Sequence, residues 1–200
     1  MNWINKYFKI FSYNISILFL IFAFIFFISL IFNRISNSVS EDNRYNLINY
    51  KNIDWARTHF EEFSKLKTEY KDFYGWRRSN YEGQTITINK NGLRKTIVKD
   101  SNKFSDFSVL FFGGSTMWGT GSNDQNTIPS LFSQLNNVNA INYSESGYSS
   151  IQSLNYLNTL IIKEDLSLKN KLVVFYDGVN NVTDNCLSSN KGLETARELQ

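Results

Sequence analysis

Residues 107–121 read FSVLFFGGSTMWGTG, an apolar run that ends on two glycines, a serine and a threonine. A short, uninterrupted apolar run is typical of a strand that is buried on both faces of a parallel sheet. The small residues after it leave space at the carboxyl end of the strand, where α/β proteins bind their ligands. The stretch therefore predicts a buried strand from Phe107 to Phe112 and a functional loop directly after it.

The chain after this loop alternates between helix and strand signals. Thr127 and Pro129 begin a predicted helix, with the threonine as cap and the proline in the first turn, where its missing N–H costs nothing. Residues 138–142 and 172–176 are predicted strands, and 150–162 is a predicted helix between them. This order predicts an α/β fold in which helices cover both faces of a parallel sheet.

Each of the three predicted strands continues into a loop of small polar residues. The loops are GGSTMWG at 113–119, NYSESGYSS at 142–150 and DGVNN at 177–181. Because the carboxyl ends of parallel strands meet at one edge of the sheet, we expect the three loops to lie close together.

An acyl-transfer site needs a nucleophile and hydrogen-bond donors for the oxyanion that develops on the substrate. Ser115 is the natural nucleophile at the end of the first strand. Gly147 offers a backbone N–H that no side chain obstructs, and Asn180 offers a side-chain amide. Each donor of this kind is worth roughly 3 kcal/mol in the transition state. These residues are the candidate catalytic set.

Three other glycine-rich sites are excluded by single residues. Gly114 and Gly119 have the spacing of a phosphate-binding loop, but no lysine follows them. Asp124 stands where the last glycine of a dinucleotide-binding loop is needed. Met117 replaces the last glycine of the Gly-x-Ser-x-Gly nucleophile elbow.

The three loops, taken in order, resemble the conserved blocks of the SGNH (GDSL-like) hydrolases. Residues 113–116 resemble block one, with Gly114 in place of the usual aspartate. Residues 142–147 resemble block two, and residues 178–181 resemble block three, with Asn181 in place of its aspartate. The lead-in YGWRRSNYEGQTITINKNGLRKT is similar to that of membrane-anchored members encoded with bacterial surface-polysaccharide machinery. The resemblance covers roughly residues 73–182.

The resemblance implies a partial SGNH, flavodoxin-like parallel sheet and a serine esterase or O-acyltransferase acting on acylated surface carbohydrate. Ser115 is then the nucleophile, while Gly147 and Asn180 hold the oxyanion. We expect no cofactor and no metal ion. Water and a sugar hydroxyl both remain open as acyl acceptors, and so does the oligomeric state.

The family's fourth block, Asp-x-x-His, supplies the general base, and the residues after Asn180 contain no histidine. We therefore expect an incomplete, C-terminally truncated hydrolase-like domain at 107–200. Asp177 and Asp184 are interpreted as structural or solvated. Two hypotheses follow: an enzyme lineage whose present chain is inactive alone, and a non-catalytic, membrane-anchored binding or accessory protein.

The N-terminal region contains a long run without charge. Residues 15–32 hold only two serines among apolar side chains, and as a helix they span roughly 27 Å, close to the thickness of a bilayer core. We predict a transmembrane anchor at 15–33 in preference to a cleaved signal peptide or a buried helix. Lys6 and Lys9 precede it, which predicts a cytoplasmic N-terminus at 1–14 and an extracytoplasmic main domain in a bacterial cell membrane.

Between the anchor and the hydrolase-like domain we predict a linker at 34–53 and a lead-in region at 54–106. The lead-in is predicted to hold a helix from Asp54 to about Tyr70 and a hairpin at 85–98 around an Asn-Gly turn. His59 is the only histidine and is predicted to be a surface or boundary residue of this helix. The aromatic and arginine residues at 73–78 are predicted to pack onto the main domain.

Charge and cysteine content exclude further classes of function. The net charge is +3, but Lys6 and Lys9 precede the apolar run, which leaves 19 basic and 18 acidic residues elsewhere. A nucleic-acid binder needs a basic face, so no nucleic-acid partner is expected. Cys186 is the only cysteine, which excludes an intrachain disulfide and a cysteine-based metal site. The expected partners are the lipid bilayer and an acylated carbohydrate.

Overall fold

A computed structural model describes residues 2–36, 42–98 and 107–187. Part of the predicted linker (37–41), part of the lead-in region (99–106) and residues 188–200 of the predicted hydrolase-like domain lie outside these described residues. The chain divides into two compact units, residues 1–41 and residues 42–200.

The first unit is a single helix. α1 spans Asn2–Ser36, and its segment Tyr7–Phe32 is long and apolar enough to cross a membrane. None of that segment is buried inside the protein. The helix extends beyond the predicted 15–33 at both ends, and aromatic residues at 7, 8 and 11 lengthen the apolar segment toward the N-terminus.

The second unit begins with residues 42–98, which we call the lead-in segment. It starts with a 3₁₀ turn at Asn43–Asn46 and continues into α2, Ala56–Lys65. Trp55, not the predicted Asp54, occupies the N-cap position of α2, and it makes no side-chain capping hydrogen bond. The helix ends earlier than predicted, because Leu66 already has an extended backbone with φ −64° and ψ 133°.

The residues after α2 form a strand where another helical turn was predicted. β1, Thr68–Lys71, pairs antiparallel with β2, Gly75–Arg78, and places Tyr70 opposite Trp76. The two rings meet edge to face with their centroids 5.5 Å apart. The predicted extension of the helix to Tyr70 is wrong, because pairing with a later strand outweighs the helical spacing of the aromatic residues.

A second antiparallel pair follows. β3, Tyr81–Glu82, pairs with β4, Thr87–Ile88. The chain then reverses at the Asn-Gly pair, where Gly92 has a φ of +74°. Arg94 forms one bridge back to β4 and another to the main sheet. The hairpin predicted at 85–98 is thus confirmed at its turn. Its paired strands are shorter than predicted, because the residues after the turn bridge both β4 and the main sheet at Arg94.

The main sheet has three parallel strands within the described residues: β5, Ser108–Gly113, β6, Asn139–Asn142, and β7, Lys171–Tyr176. Their order is β6–β5–β7, so β5 is central. Leu110 of β5 pairs with Ile141 on one side and Val173 on the other. These features confirm the predicted α/β class and its parallel sheet.

Helices connect and follow these strands. They are α3, Ser115–Trp118, α4, Ile128–Asn136, α5, Ser150–Lys163, and α6, Val179–Leu187, with a 3₁₀ turn at Asp124–Asn126. α4 begins as predicted: Thr127 Oγ1 accepts a hydrogen bond of 3.3 Å from the Ser130 N–H, and Pro129 lies in the first turn.

The central strand is buried on both faces, as predicted. Leu110 and Phe112 belong to a core cluster with residues of α5, whereas Val109 and Phe111 belong to a second cluster with residues of α3, α4 and β6. A third cluster joins Trp118 to apolar residues of the lead-in segment. The lead-in segment therefore packs against α3 of the main domain. Of the residues at 73–78, Tyr74 packs on the core and Arg77 is buried as predicted, but Phe73 and Trp76 are 64% and 51% exposed.

The strand β7 departs from the prediction of a fully covered sheet. Leu172, Phe175 and Tyr176 are 47%, 44% and 56% exposed. Within the described residues, β7 pairs with β5 alone. Burial on both faces thus holds in the centre of the sheet and is incomplete at this edge.

Candidate active site

A cleft of about 150 Å³ lies at the carboxyl edge of the main sheet. Its lining comes from the ends of β5 and β7, the start of α6 and the loop between β6 and α5, and comprises Gly114, Ser115, Thr116, Tyr148, Tyr176, Asp177, Gly178, Val179 and Asn180. The cleft thus brings together two of the predicted site residues, Ser115 and Asn180. Gly147 does not line it but directly precedes the lining residue Tyr148.

Ser115 is the first residue of α3 and is half-buried. Its backbone carbonyl accepts hydrogen bonds from the N–H groups of Gly119 and Thr120, both at 3.0 Å, which fix the short helix. Its hydroxyl has no hydrogen-bond partner within the described residues. Ser115 lines the cleft, and none of the described residues occupies its hydroxyl oxygen.

Asn180 packs closely against Gly114, the residue before Ser115. A Cβ atom at Gly114 would lie 2.8 Å from Asn180 Nδ2 and 3.3 Å from the Tyr148 carbonyl oxygen. Asn180 Nδ2 donates a hydrogen bond of 2.7 Å to that same carbonyl. Glycine at position 114 therefore allows the three loops to touch, and one N–H of the Asn180 amide is already used.

Gly147 occupies a turn in the loop between β6 and α5. Its φ of +87° lies in the left-handed region, which glycine adopts without strain. Nearby, Asn142 Oδ1 accepts a hydrogen bond of 3.2 Å from the Ser144 N–H, and the Glu145 N–H donates one of 3.0 Å to Gly113. The loop is thereby tied to the end of β5, close to Ser115 in the chain.

Asp177, which the sequence interpretation took as structural or solvated, lies in the wall of the cleft. Its Oδ1 accepts a hydrogen bond of 3.2 Å from Ser153 Oγ. Its Oδ2 is buried and has no hydrogen-bond partner in the described part of the chain. Burial raises the pKa of this carboxyl above its ordinary value. The signal for this residue was its place directly after a strand at the ligand-binding edge.

His59 is completely buried, so its prediction as a surface or boundary residue is wrong. The rings of Trp55 and Phe60 pack against it with centroids 5.5 Å and 5.2 Å away. Its Nε2 lies 2.9 Å from the Thr120 carbonyl oxygen, to which it donates in the neutral form. Burial lowers the pKa of His59 to about 4. His59 does not line the cleft, and its ring is already engaged with the backbone.

Residues 118–122, which we call the carbonyl loop, follow Ser115 and are held by the lead-in segment. Every carbonyl of this loop accepts a side-chain hydrogen bond from that segment. Arg94 donates to residues 118, 119 and 122, His59 pairs with residue 120, and Tyr50 donates to residue 121 at 3.0 Å. The position of the loop therefore depends on side chains from residues 50–94.

The carbonyl loop is also tied to the loop that contains Gly147. Thr120 Oγ1 and Ser146 Oγ are 2.6 Å apart and share a hydrogen bond. Ser146 in turn donates its N–H to Glu145 Oε1 at 2.7 Å. The chain of contacts runs from the lead-in segment through residue 120 to the neighbour of Gly147.

Two buried ion pairs fix the lead-in segment to the sheet. Arg78 pairs with Glu145 through its guanidinium and also donates its backbone N–H to the same carboxylate at 2.9 Å. Arg94 Nε lies 3.0 Å from Asp124 Oδ1. The two guanidinium groups lie over the Trp118 ring at 4.3 Å and 4.4 Å from its centroid. No pairing of these charges could be predicted from local sequence patterns, because the partners are 67 and 30 residues apart.

No protein-family model matches this chain, and no curated protein is significantly similar to it.

Proposed function

We propose that the protein is a membrane-anchored, extracytoplasmic serine esterase or O-acyltransferase of the SGNH type, acting on acylated surface carbohydrate. The observation that carries the proposal is the shared cleft at the carboxyl edge of the sheet. Ser115, whose hydroxyl has no partner among the residues that the structure describes, and Asn180, with its amide, both line it. The resemblance of three consecutive loops to the family's blocks supplies the reaction class.

In this proposal Ser115 Oγ attacks the ester carbonyl carbon and forms a tetrahedral intermediate. The negative oxygen accepts hydrogen bonds from the second N–H of the Asn180 amide and from the Gly147 backbone. The intermediate collapses to an acyl-serine as the alcohol leaves with a proton. Water or a sugar hydroxyl then attacks the acyl-serine and restores the free hydroxyl.

The reaction needs a base for the serine proton, and no histidine lies in the cleft lining. His59, the only histidine in the sequence, is buried with Nε2 bonded to residue 120. This observation favours the second candidate, a non-catalytic binding or accessory protein that retains the cleft. Both candidates bind an acylated carbohydrate. They differ in whether Ser115 cleaves its ester.

Added imidazole tests the proposal on the chain as it exists, because it can replace a missing base. The full chain in detergent is incubated with a short-chain acyl ester and increasing imidazole, beside Ser115→Ala and the exposed control Ser167→Ala. The enzyme proposal expects imidazole to increase turnover in the wild-type and Ser167→Ala proteins above that of Ser115→Ala. Equal rates in all three proteins at every imidazole concentration remove Ser115 as the nucleophile. Saturable binding of an acylated oligosaccharide without turnover supports the accessory protein.

The proposed location rests on α1 and on the lysines that precede its apolar segment. A reporter that is active only outside the cytoplasm, fused after Asn43, is expected to be active. The matched fusion carries a cytoplasmic reporter at the same residue and is expected to be inactive. The reverse result places the main domain in the cytoplasm.

A further inference from the structure

A second cavity, which we call the lead-in cavity, shares no lining residue with the cleft. Its walls come from the start of α2, the connection between β3 and β4, residues 95 and 97, and the 3₁₀ turn at Asp124–Asn126. Its volume is about 520 Å³, against about 150 Å³ for the cleft. Cavities that bind small molecules hold roughly 300–1,000 Å³. The lead-in cavity therefore has room for a ligand that the cleft alone cannot enclose.

The walls of the lead-in cavity are polar and close to neutral in charge. Nine of its twelve lining residues have polar or charged side chains. Asp54 and Lys95 carry opposite charges, and the charge of Asp124 is paired with that of Arg94. An acyl chain needs apolar walls and an anionic polymer needs an excess of cations, so both are disfavoured. The lining favours a neutral ligand that is rich in hydrogen-bonding groups.

Trp55 contributes an aromatic ring to these polar walls. The residue is half-buried, and its ring meets the rings of Tyr50 and His59 edge to face, with centroids 6.3 Å and 5.5 Å away. A pyranose ring presents C–H groups on its faces and hydroxyl groups around its rim. The negative face of an aromatic ring attracts such polarised C–H groups. A fixed tryptophan in a polar cavity therefore matches the two kinds of surface that a sugar residue has.

Free side-chain amides in the cavity can bind the hydroxyl groups of a sugar. Gln84 and Gln125 are exposed, and only their backbone atoms form hydrogen bonds within the described residues. The wall behind them is fixed: the Glu62 carboxylate accepts hydrogen bonds of 2.6 Å and 3.0 Å from the N–H groups of Gln84 and Thr85, and the Asp124 N–H donates one of 2.8 Å to the Thr85 carbonyl. Amides both donate and accept hydrogen bonds, as hydroxyls do. A wall that is already ordered costs little to bind.

We propose that the lead-in cavity binds a neutral sugar residue of a polysaccharide, with Trp55 stacked on the sugar ring and the amides of Gln84 and Gln125 bonded to its hydroxyls. This inference rests on the proposed function for its polymer, but binding in the cavity does not require turnover in the cleft. Arg94 connects the two sites, because it bonds to Asp124 in the cavity wall and to three carbonyls of the carbonyl loop. A polymer held in the cavity presents its esters to the cleft at a raised effective concentration.

Binding of sugars without acyl groups tests the cavity separately from ester cleavage. The full chain in detergent is titrated by calorimetry with neutral tetrasaccharides of glucose, galactose and N-acetylglucosamine, and with the acidic tetragalacturonate. At least one neutral tetrasaccharide is expected to bind, and more tightly than tetragalacturonate. Trp55→Ala is expected to weaken this binding at least about tenfold, and Trp55→Phe, which keeps an aromatic ring, to weaken it less. The matched control is Trp76→Ala, since Trp76 is 51% exposed and does not line the cavity.

The glutamines provide a second test if circular dichroism shows that Trp55→Ala does not fold. Gln84→Ala and Gln125→Ala each remove an exposed amide and are expected to weaken binding about threefold to tenfold. Ser115→Ala is expected to bind the same sugar as tightly as the wild-type chain does. No binding of any neutral tetrasaccharide, equal or tighter binding of tetragalacturonate, unchanged affinity in the Trp55 and glutamine variants, or an equal loss in Trp76→Ala overturns the inference. A loss in Ser115→Ala alone places the sugar in the cleft and also overturns it. Retained binding without imidazole-dependent turnover supports the cavity and removes only the enzyme proposal.

Discussion

The carbonyl loop and the neighbouring cleft differ in how their polar groups are paired. On the side of the carbonyl loop, every carbonyl from residue 118 to 122 accepts a side-chain hydrogen bond, and Arg78 and Arg94 are paired with carboxylates. In the lining of the cleft, which we call the open side, the Ser115 hydroxyl and Asp177 Oδ2 have no partner within the described residues. The contrast teaches that the backbone after the proposed nucleophile is fixed, while its hydroxyl and one oxygen of Asp177 are left unpaired.

The fixed side belongs as much to the lead-in segment as to the sheet. Arg94 is 2% exposed, and its guanidinium bonds to Asp124 and to three carbonyls of the carbonyl loop. A buried charge of this kind is tolerated only with its partners in place. Residues 42–98 are therefore an integral part of the unit that contains the cleft.

The largest effect is expected from breaking the fixed side at Arg94. Arg94→Met leaves Asp124 and the carbonyls of the carbonyl loop without their donor, and removal of one partner of a buried ion pair costs about 3–5 kcal/mol. We expect this loss in the free energy of unfolding, measured in urea by circular dichroism. Lys95→Met is the control, since Lys95 is exposed and adjacent. Similar losses in the two variants would contradict the role assigned to Arg94.

The open side is tested by Asn180→Ala, provided that imidazole supports turnover. Loss of one oxyanion donor lowers the rate on the order of 10²–10³-fold. The control is Asn181→Ala, because Asn181 bonds to Ser150 and does not line the cleft. An imidazole-dependent rate in Asn180→Ala within a fewfold of the control would remove Asn180 from the oxyanion site.

A pH titration probes the fixed side through His59. Burial lowers the pKa of His59 to about 4 from 6.5, so the folded protein binds this proton less well than the unfolded chain. Above pH 6.5 the histidine is neutral in the folded and the unfolded protein, and its burial costs no ionisation energy. As the pH falls toward 4, protonation of the unfolded chain lowers the free energy of unfolding by on the order of 3 kcal/mol. Arg94 and Arg44 oppose the imidazolium, whereas Glu62 and the bond to residue 120 favour it.

The measurement for His59 is the melting temperature between pH 7 and pH 4. His59→Gln removes the titrating group and can keep a hydrogen bond to the loop, so its melting temperature is expected to vary less over this range. Carboxylates that also titrate affect both proteins and cancel in the difference. Identical pH dependence in the two proteins would show that His59 is not buried in its neutral form.

The smallest effect is expected at the contact between the two sides. Gly114→Ala places a methyl group 2.8 Å from Asn180 Nδ2, so the amide must move away from the Tyr148 carbonyl. Such overpacking costs about 1–3 kcal/mol, measured as a loss in unfolding free energy. Thr116→Ala, at an exposed position of the same cleft, is the control. If Gly114→Ala is as stable as Thr116→Ala, the loops at Gly114 and Asn180 can move apart without a loss in the free energy of unfolding.

Local signals in the sequence predicted much of the fold. The continuous apolar strands, the Thr127 cap with Pro129 in its first turn and the Asn-Gly turn before Leu93 each act over a few residues. The strand ends also predicted that Ser115 and Asn180 would share one edge of the sheet. These features depend on backbone preferences that neighbouring residues determine.

What the sequence could not predict depends on contacts between distant residues. His59 looked like a boundary residue because its helix is amphipathic, yet rings from its own segment and the carbonyl of residue 120 enclose it. The Arg78–Glu145 pair joins residues 67 positions apart. Nothing in the local pattern distinguishes a charge that will be buried and paired from one that will remain in solvent.

The hydrogen bonds to the carbonyl loop impose an order on the folding of the chain. Tyr50 and His59 are synthesised 71 and 61 residues before the carbonyls that they contact. Until those carbonyls emerge, the lead-in segment holds donors without acceptors and an arginine without its carboxylate, so water must solvate them. We therefore infer that this segment reaches its final packing late, after β5 and the carbonyl loop, although it leaves the ribosome before them.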